Sequence, residues 1–124
     1  MTGDVATILV AEDDPHVRAF VASVLSGLGY QIISARDGAV AADLAARCRR
    51  LDLVLTDVVM PWISGPDLVA HVRRTHPDVK VAFMSGFVPS EGLLEAVAPE
   101  APLLQKPFTS GGLAQVVRAV LDGR

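Results

Sequence analysis

The sequence predicts an α/β domain in which a five-stranded parallel sheet is covered by helices on both faces. Three observations carry this: short continuous apolar runs, amphipathic stretches between them, and regular alternation of the two along 124 residues. A strand buried on both faces reads as an unbroken run of Val, Ile and Leu, whereas a one-sided strand alternates with polar residues. The runs here are 7–11, 31–34, 51–56 and 79–84, and Leu103-Leu104 is a shorter fifth.

The intervening stretches have helical spacing. Val17, Phe20, Val21, Val24, Leu25 and Leu28 form one apolar stripe, with Asp14 placed to cap it, Pro15 at the first helical position, and Gly27 and Gly29 at its end. A second helix is predicted over 39–48 and a third over 67–74. A weak fourth is predicted over 90–97, where Gly92 lies inside and Pro99 follows. Leu113, Val116, Val117, Val120 and Leu121 mark the last. Strand-then-helix repetition implies parallel strands joined by right-handed crossovers, so the loops after all the strands share one rim. Open α/β sheets hold their ligands at that rim.

Composition narrows the function. The length suits a single domain over 1–124, with no effector domain in the sequence. A net charge of −3 and the lack of a basic stripe argue against direct nucleic-acid binding. Arg47, Arg49 and Arg50, the one basic cluster, read as the solvated end of the second helix. The single cysteine, Cys48, forms no internal disulfide, which fits the cytoplasm. No apolar run is long enough to span a bilayer, so no membrane contact is expected.

The chemistry collects at the predicted rim. The first strand runs into Glu12, Asp13 and Asp14, the third ends in Asp57, the fourth in Ser85, and the fifth leads to Lys106. No comparable polar set is expected at the opposite ends of the strands. Crowded carboxylates repel one another unless a cation intervenes. An oxygen-only donor set on loops suits Mg²⁺, which commonly bridges protein carboxylates to phosphate. With a hydroxyl and an ammonium beside it, such a site can accept a phosphoryl group, and Asp57 would be its nucleophile.

The segments ILVAEDDP (8–15), LTDVVMP (55–61), MSG (84–86) and KPF (106–108) resemble the signatures of bacterial response-regulator receiver domains, in the same order and over essentially the whole chain. The wording around MSGF and LLQKPF is similar to receivers of hybrid sensor histidine kinases. This resemblance implies a flavodoxin-like fold with strand order 2-1-3-4-5. The function it implies is a phosphorylation-controlled switch rather than a metabolic enzyme, charged by a histidine kinase or a histidine phosphotransfer protein. Asp57 is implied as the phosphoacceptor, and Asp13, Asp57 and the backbone carbonyl of Val59 as Mg²⁺ ligands, with Glu12 bound directly or through water. Ser85 and Lys106 are implied to hold the phosphoryl oxygens, with a cis Lys106–Pro107 bond.

Three departures stand out. Leu103 occupies the place where many receivers carry a switching aromatic. Val59 and Phe87, two residues after Asp57 and Ser85, are apolar and cannot orient an attacking water, so slow self-dephosphorylation is expected. The outward side of the first helix carries Ala19, Ala22, Ser23 and Ser26, a smooth face suited to donor docking. Of the rest, His16, His71 and His76 read as surface residues and Trp62 as partly packed on the surface beside the site. Cys48 reads as a core or boundary residue.

Rival functions lack their residues. A flavodoxin needs a hydroxyl- and glycine-rich phosphate loop where three acids stand here. A dinucleotide enzyme needs G-x-G-x-x-G at that place. An aspartyl-phosphate phosphatase needs a second Asp where Val59 stands.

Overall fold

The computed structural model describes residues 5–87, 92 and 94–123. In chain order these form β1 (Thr7–Ala11), α1 (Pro15–Gly27), β2 (Gln31–Ala35), α2 (Gly38–Arg47), β3 (Leu53–Asp57), α3 (Gly65–Val72), β4 (Lys80–Ser85), β5 (Leu103–Gln105) and α4 (Ser110–Leu121). All strand pairs are parallel, and the open sheet has the order β2-β1-β3-β4-β5. This is the predicted doubly wound architecture. The weak helix expected over 90–97 falls partly outside the described residues. Of that stretch, Gly92 and 94–97 form turns, with Ala96 N–H donating to Gly92 O and Ala98 N–H to Leu94 O.

Strand parity sorts the core into two layers, because successive side chains point to opposite faces. Leu9, Val54, Val81 and Phe83 pack under α2 and α3 with Ala41, Ala45, Leu68 and Val72. Ile8, Val10, Leu53, Leu55, Ala82 and Met84 pack under α1 and α4 with Val21, Leu25, Leu113 and Val117. The second set continues past the strand ends: 8 and 10 lead to Glu12, 53 and 55 to Asp57, and Leu104 to Lys106. Parity therefore sends the three charged groups to one face of the rim.

Each helix starts on a side-chain cap that satisfies otherwise unpaired N–H groups. Asp14 accepts from His16 and Val17, Asp37 from Val40, Ser64 from Asp67, and Thr109 from Gly112. Pro15 and Gly29, the latter at φ +97, begin and end α1 as expected. The α1 stripe is wider than the surface it covers: Val21 and Leu25 are buried, but Phe20 and Leu28 are 41% and 46% exposed. β2 also departs from the two-sided reading. It is an edge strand, and only Ala35 is buried, so neighbours cover it incompletely. No helix among the described residues is long and apolar enough to cross a membrane.

Candidate functional site

β1 and β3 are sequence-distant but spatially adjacent, with β2 and β4 flanking them, which is the switch point where an open α/β sheet leaves a crevice. Glu12 and Asp57 emerge there, essentially buried at 0% and 4% exposure, while Asp13 beside them is exposed. Carboxylate oxygens of Glu12, Asp13 and Asp57 lie within 4.8 Å of one another. The Lys106 ammonium sits 2.7 Å from Glu12 Oε1 and 2.7 Å from Asp57 Oδ1. Apart from that ammonium, neither oxygen has a hydrogen-bond partner among the described residues. The Lys106–Pro107 peptide is cis.

Two buried carboxyls share one cation, so their protonation is linked. Burial, and then the adjacent Glu12, push Asp57 up to about 8 against the pull of Lys106. Burial opposes ionisation of Glu12 too, yet Asp57, Lys106 and the Asp14 N–H together hold it below the ordinary value. Lys106 stays above its ordinary value because its two acidic partners outweigh burial. The pair tends to retain one proton until a further cation arrives.

A hard divalent cation fits this donor set. Three clustered carboxylates, two of them buried and sharing one ammonium, supply oxygen ligands and a deficit of positive charge. Ser85 ends β4, next to Asp57 across the sheet through the Asp57–Met84 register, and is buried. Its Oγ accepts the Phe87 N–H at 3.1 Å. Val59 stands at the rim with its side chain 62% exposed.

Three residues of the site escaped the sequence reading. Arg18 Nη1 donates to Glu12 O at 2.9 Å and so fixes the turn that carries the acids. Its sequence signal was a lone basic residue one turn into an otherwise apolar or small-residue helix. The Thr56 hydroxyl donates to Asp57 O at 2.9 Å. Gly65 packs so closely that a Cβ there would overlap the same carbonyl.

Other expectations are corrected. Trp62 is not packed on the surface but 85% exposed. His76 is half-buried, and its Nε2 lies 3.0 Å from Ala45 O, necessarily as the donor because the partner is a carbonyl. His16 and His71 are exposed as expected, and Cys48 is a half-buried boundary residue. The opposite strand ends do gather polar groups: Arg49, Arg50, Asp52, His76 and Lys80 line a hollow of about 400 Å³. There, however, Asp52 is already engaged by Arg50 and by the Thr7 N–H.

A doubly wound sheet with an acid pocket, a lysine and a hydroxyl at its switch point defines a class of phosphoacceptor switches. Comparison with known proteins agrees. The family model for the response regulator receiver domain matches residues 8–118. The sensor kinase CckA of Brucella abortus is 35% identical over 120 residues, covering 94% of this chain but 13% of the kinase. The response regulator receiver protein CpdR of the same organism is 33% identical over 115 residues, covering 92% of this chain and 95% of CpdR. Among solved structures, Thermotoga maritima TrrA in complex with Mg(2+)-BeF superposes with a TM-score of 0.81 at 26% identity, covering 94% of this chain and 99% of that one.

The chain belongs to the response regulator receiver domain family. It is a signalling switch of the two-component type, in which receivers interact with histidine kinases or phosphotransfer proteins and generally bind Mg²⁺ at an acidic pocket.

Proposed function

We propose that Asp57 is the phosphoacceptor of this receiver, charged by a phosphohistidine on a kinase or phosphotransfer protein in the cytoplasm. The observation that supports this most is the placement of Asp57: nearly buried, at the C-terminal end of β3, with Lys106 and Glu12 against it. An Asp57 oxygen attacks phosphorus, the bond from phosphorus to the donor imidazole nitrogen breaks, and its electron pair returns to the ring. The product is an acyl phosphate on Asp57.

Glu12, Asp13, Asp57 and the Val59 carbonyl would hold Mg²⁺, which when bound supplies the charge neutralisation that phosphoryl transfer requires. Lys106 turns from its two carboxylates to the transferred oxygens as negative charge arrives among them. The Ser85 hydroxyl, which accepts from Phe87, keeps its own proton to donate to a phosphoryl oxygen. The donor docks along α1, where Phe20 and Phe108 pair at 6.4 Å between ring centroids. Beside them Val17, Phe20, Lys106 and Phe108 help to line a hollow of about 280 Å³.

Acetyl phosphate with Mg²⁺ tests the reading without any partner. The protein gains the mass of one phosphoryl group, and Asp57→Asn gains none. Labelling that survives Asp57→Asn, or no labelling of the parent, would overturn the assignment.

The lifetime of the label supplies a second test. Val59 and Phe87 are 62% and 51% exposed and offer no side-chain hydrogen bond to a water attacking from the rim. Val59→Asn places an amide there, and the acyl phosphate decays about tenfold faster, within the usual reach of positioning a proton-transfer partner. Decay is followed by mass after removal of acetyl phosphate, and unchanged decay would sink the idea.

A further inference from the structure

Trp62 is held in a state that its own chemistry disfavours twice. It has φ +73, the one positive φ of a non-glycine residue among the described residues. Across it the Ile63 N–H donates to Pro61 O at 2.8 Å, so Trp62 is the centre of a γ-turn in its rare, strained form. Bulky side chains avoid this region of φ. Burial does not compensate, because the residue is 85% exposed.

The surroundings enforce the conformation. The loop from Val58 to Gly65 is closed at its neck by Gly65 N–H donating to Val58 O at 2.9 Å. Ile63 is wedged against α2, where a Cβ on Gly38 would lie 2.6 Å from Ile63 O and 2.7 Å from Ile63 Cβ. Strain maintained by neighbours at the edge of a site points to a use for the strained residue.

That loop leaves from Asp57 and returns to it, since Gly65 abuts the Asp57 carbonyl. Its tip therefore stands on the rim, with Val59 and Phe87 also exposed at the ends of the adjacent strands β3 and β4. Asp57 itself is recessed, at 4% exposure. A protein that delivers a phosphoryl group to so recessed a carboxylate must bring its reacting atom to bonding distance, which lays the surface around that atom over these loops. A small donor such as acetyl phosphate has no such surface.

We propose that Trp62 is a docking anchor for the protein phosphodonor, presented to it by the strained γ-turn. The inference rests on the phosphoacceptor reading above and adds a contact on the α2 side of the site, across from α1. Trp is the residue type most enriched among interface hot spots, where a few apolar anchors dominate binding.

Two variants test it, Trp62→Gly and Trp62→Asn, both of which tolerate positive φ. The donor is the fastest one in a panel of purified, phosphorylated histidine kinases and phosphotransfer proteins from the same genome. With that donor, the rate at low donor concentration falls about tenfold or more, through weaker apparent affinity rather than a lower maximal rate. Acetyl phosphate labelling stays as in the parent, and the melting temperature is unchanged or raised, because the strain is gone. Unchanged transfer from the protein donor overturns the proposal. So does a lowered melting temperature with parallel loss of acetyl phosphate labelling, which would make Trp62 structural. If acetyl phosphate labels the parent but no protein in the panel does, the donor role is overturned. If acetyl phosphate labels nothing, the phosphoacceptor reading itself has failed.

Discussion

Gly65→Ala is expected to cost on the order of 3 kcal/mol of stability and to cripple labelling of Asp57 by acetyl phosphate. Gly65 opens α3, and its N–H donates to Val58 O, so its backbone is fixed at the neck of the loop that follows β3. A Cβ at this position would overlap the Asp57 carbonyl oxygen and crowd the Val58 Cα, both of them backbone atoms that cannot rotate aside. The Thr56 hydroxyl donates to the same Asp57 carbonyl at 2.9 Å, so moving the peptide also breaks that bond. Relief must come from moving α3 outward or displacing Asp57, and displacing Asp57 separates the proposed phosphoacceptor from Lys106. Gly27→Ala is the matched control. A Cβ there meets nothing within 4 Å, in the last turn of α1, and Ala gains about 0.5–1 kcal/mol over Gly in a helix. Urea melts and acetyl phosphate labelling of the two variants check the contrast; equal stability would refute the close-packing argument.

The sheet was legible because a buried parallel strand has a local signature, and β1, β3 and β4 carry it without interruption. The acid, hydroxyl and lysine positions followed, since strand ends in a doubly wound fold share one rim. Gly65 was not legible: its role depends on a backbone carbonyl eight residues away brought back by a loop, and nothing local marks that approach. The α1 stripe misled for a related reason. Periodicity shows which face of a helix can be buried, while the surface beneath decides how much of it is, and Phe20 is left 41% exposed. His76 looked like a surface residue because its partner is a main-chain carbonyl at the end of α2, which no side-chain pattern reports. Trp62 was misread because γ-turn geometry leaves no trace in residue type; a bulky aromatic is among the least expected occupants of positive φ.

Lys106→Met is expected to destabilise the Mg²⁺-free protein by about 3–5 kcal/mol at neutral pH, the usual cost of stripping the partner from buried charge. The ammonium lies 2.7 Å from both Glu12 and Asp57, so its loss leaves two carboxyls facing each other with no cation. The pH dependence follows from the raised Asp57, at about 8 in the parent. A raised folded-state pKa means that the native protein binds the proton more tightly than the unfolded chain does. Stability from this group is then complete below the unfolded value of about 4 and is lost as pH climbs through about 8. Without Lys106 the raised Asp57 rises further and Glu12 loses a cation that holds it down, so the variant's deficit is widest at pH 8 and narrows toward pH 4. Asp57→Asn removes one of the two competing charges; it melts higher than the parent at pH 8, and added to Lys106→Met it recovers most of the loss. Mg²⁺ separates metal binding from charge relief: it is expected to raise the melting temperature of the parent and more so that of Lys106→Met, while Asp57→Asn, short of one proposed ligand, is expected to respond weakly. A Lys106→Met deficit that is flat between pH 4 and pH 8 would mean that the lysine acts through packing alone, and the linked protonation of Glu12 and Asp57 would have to be abandoned.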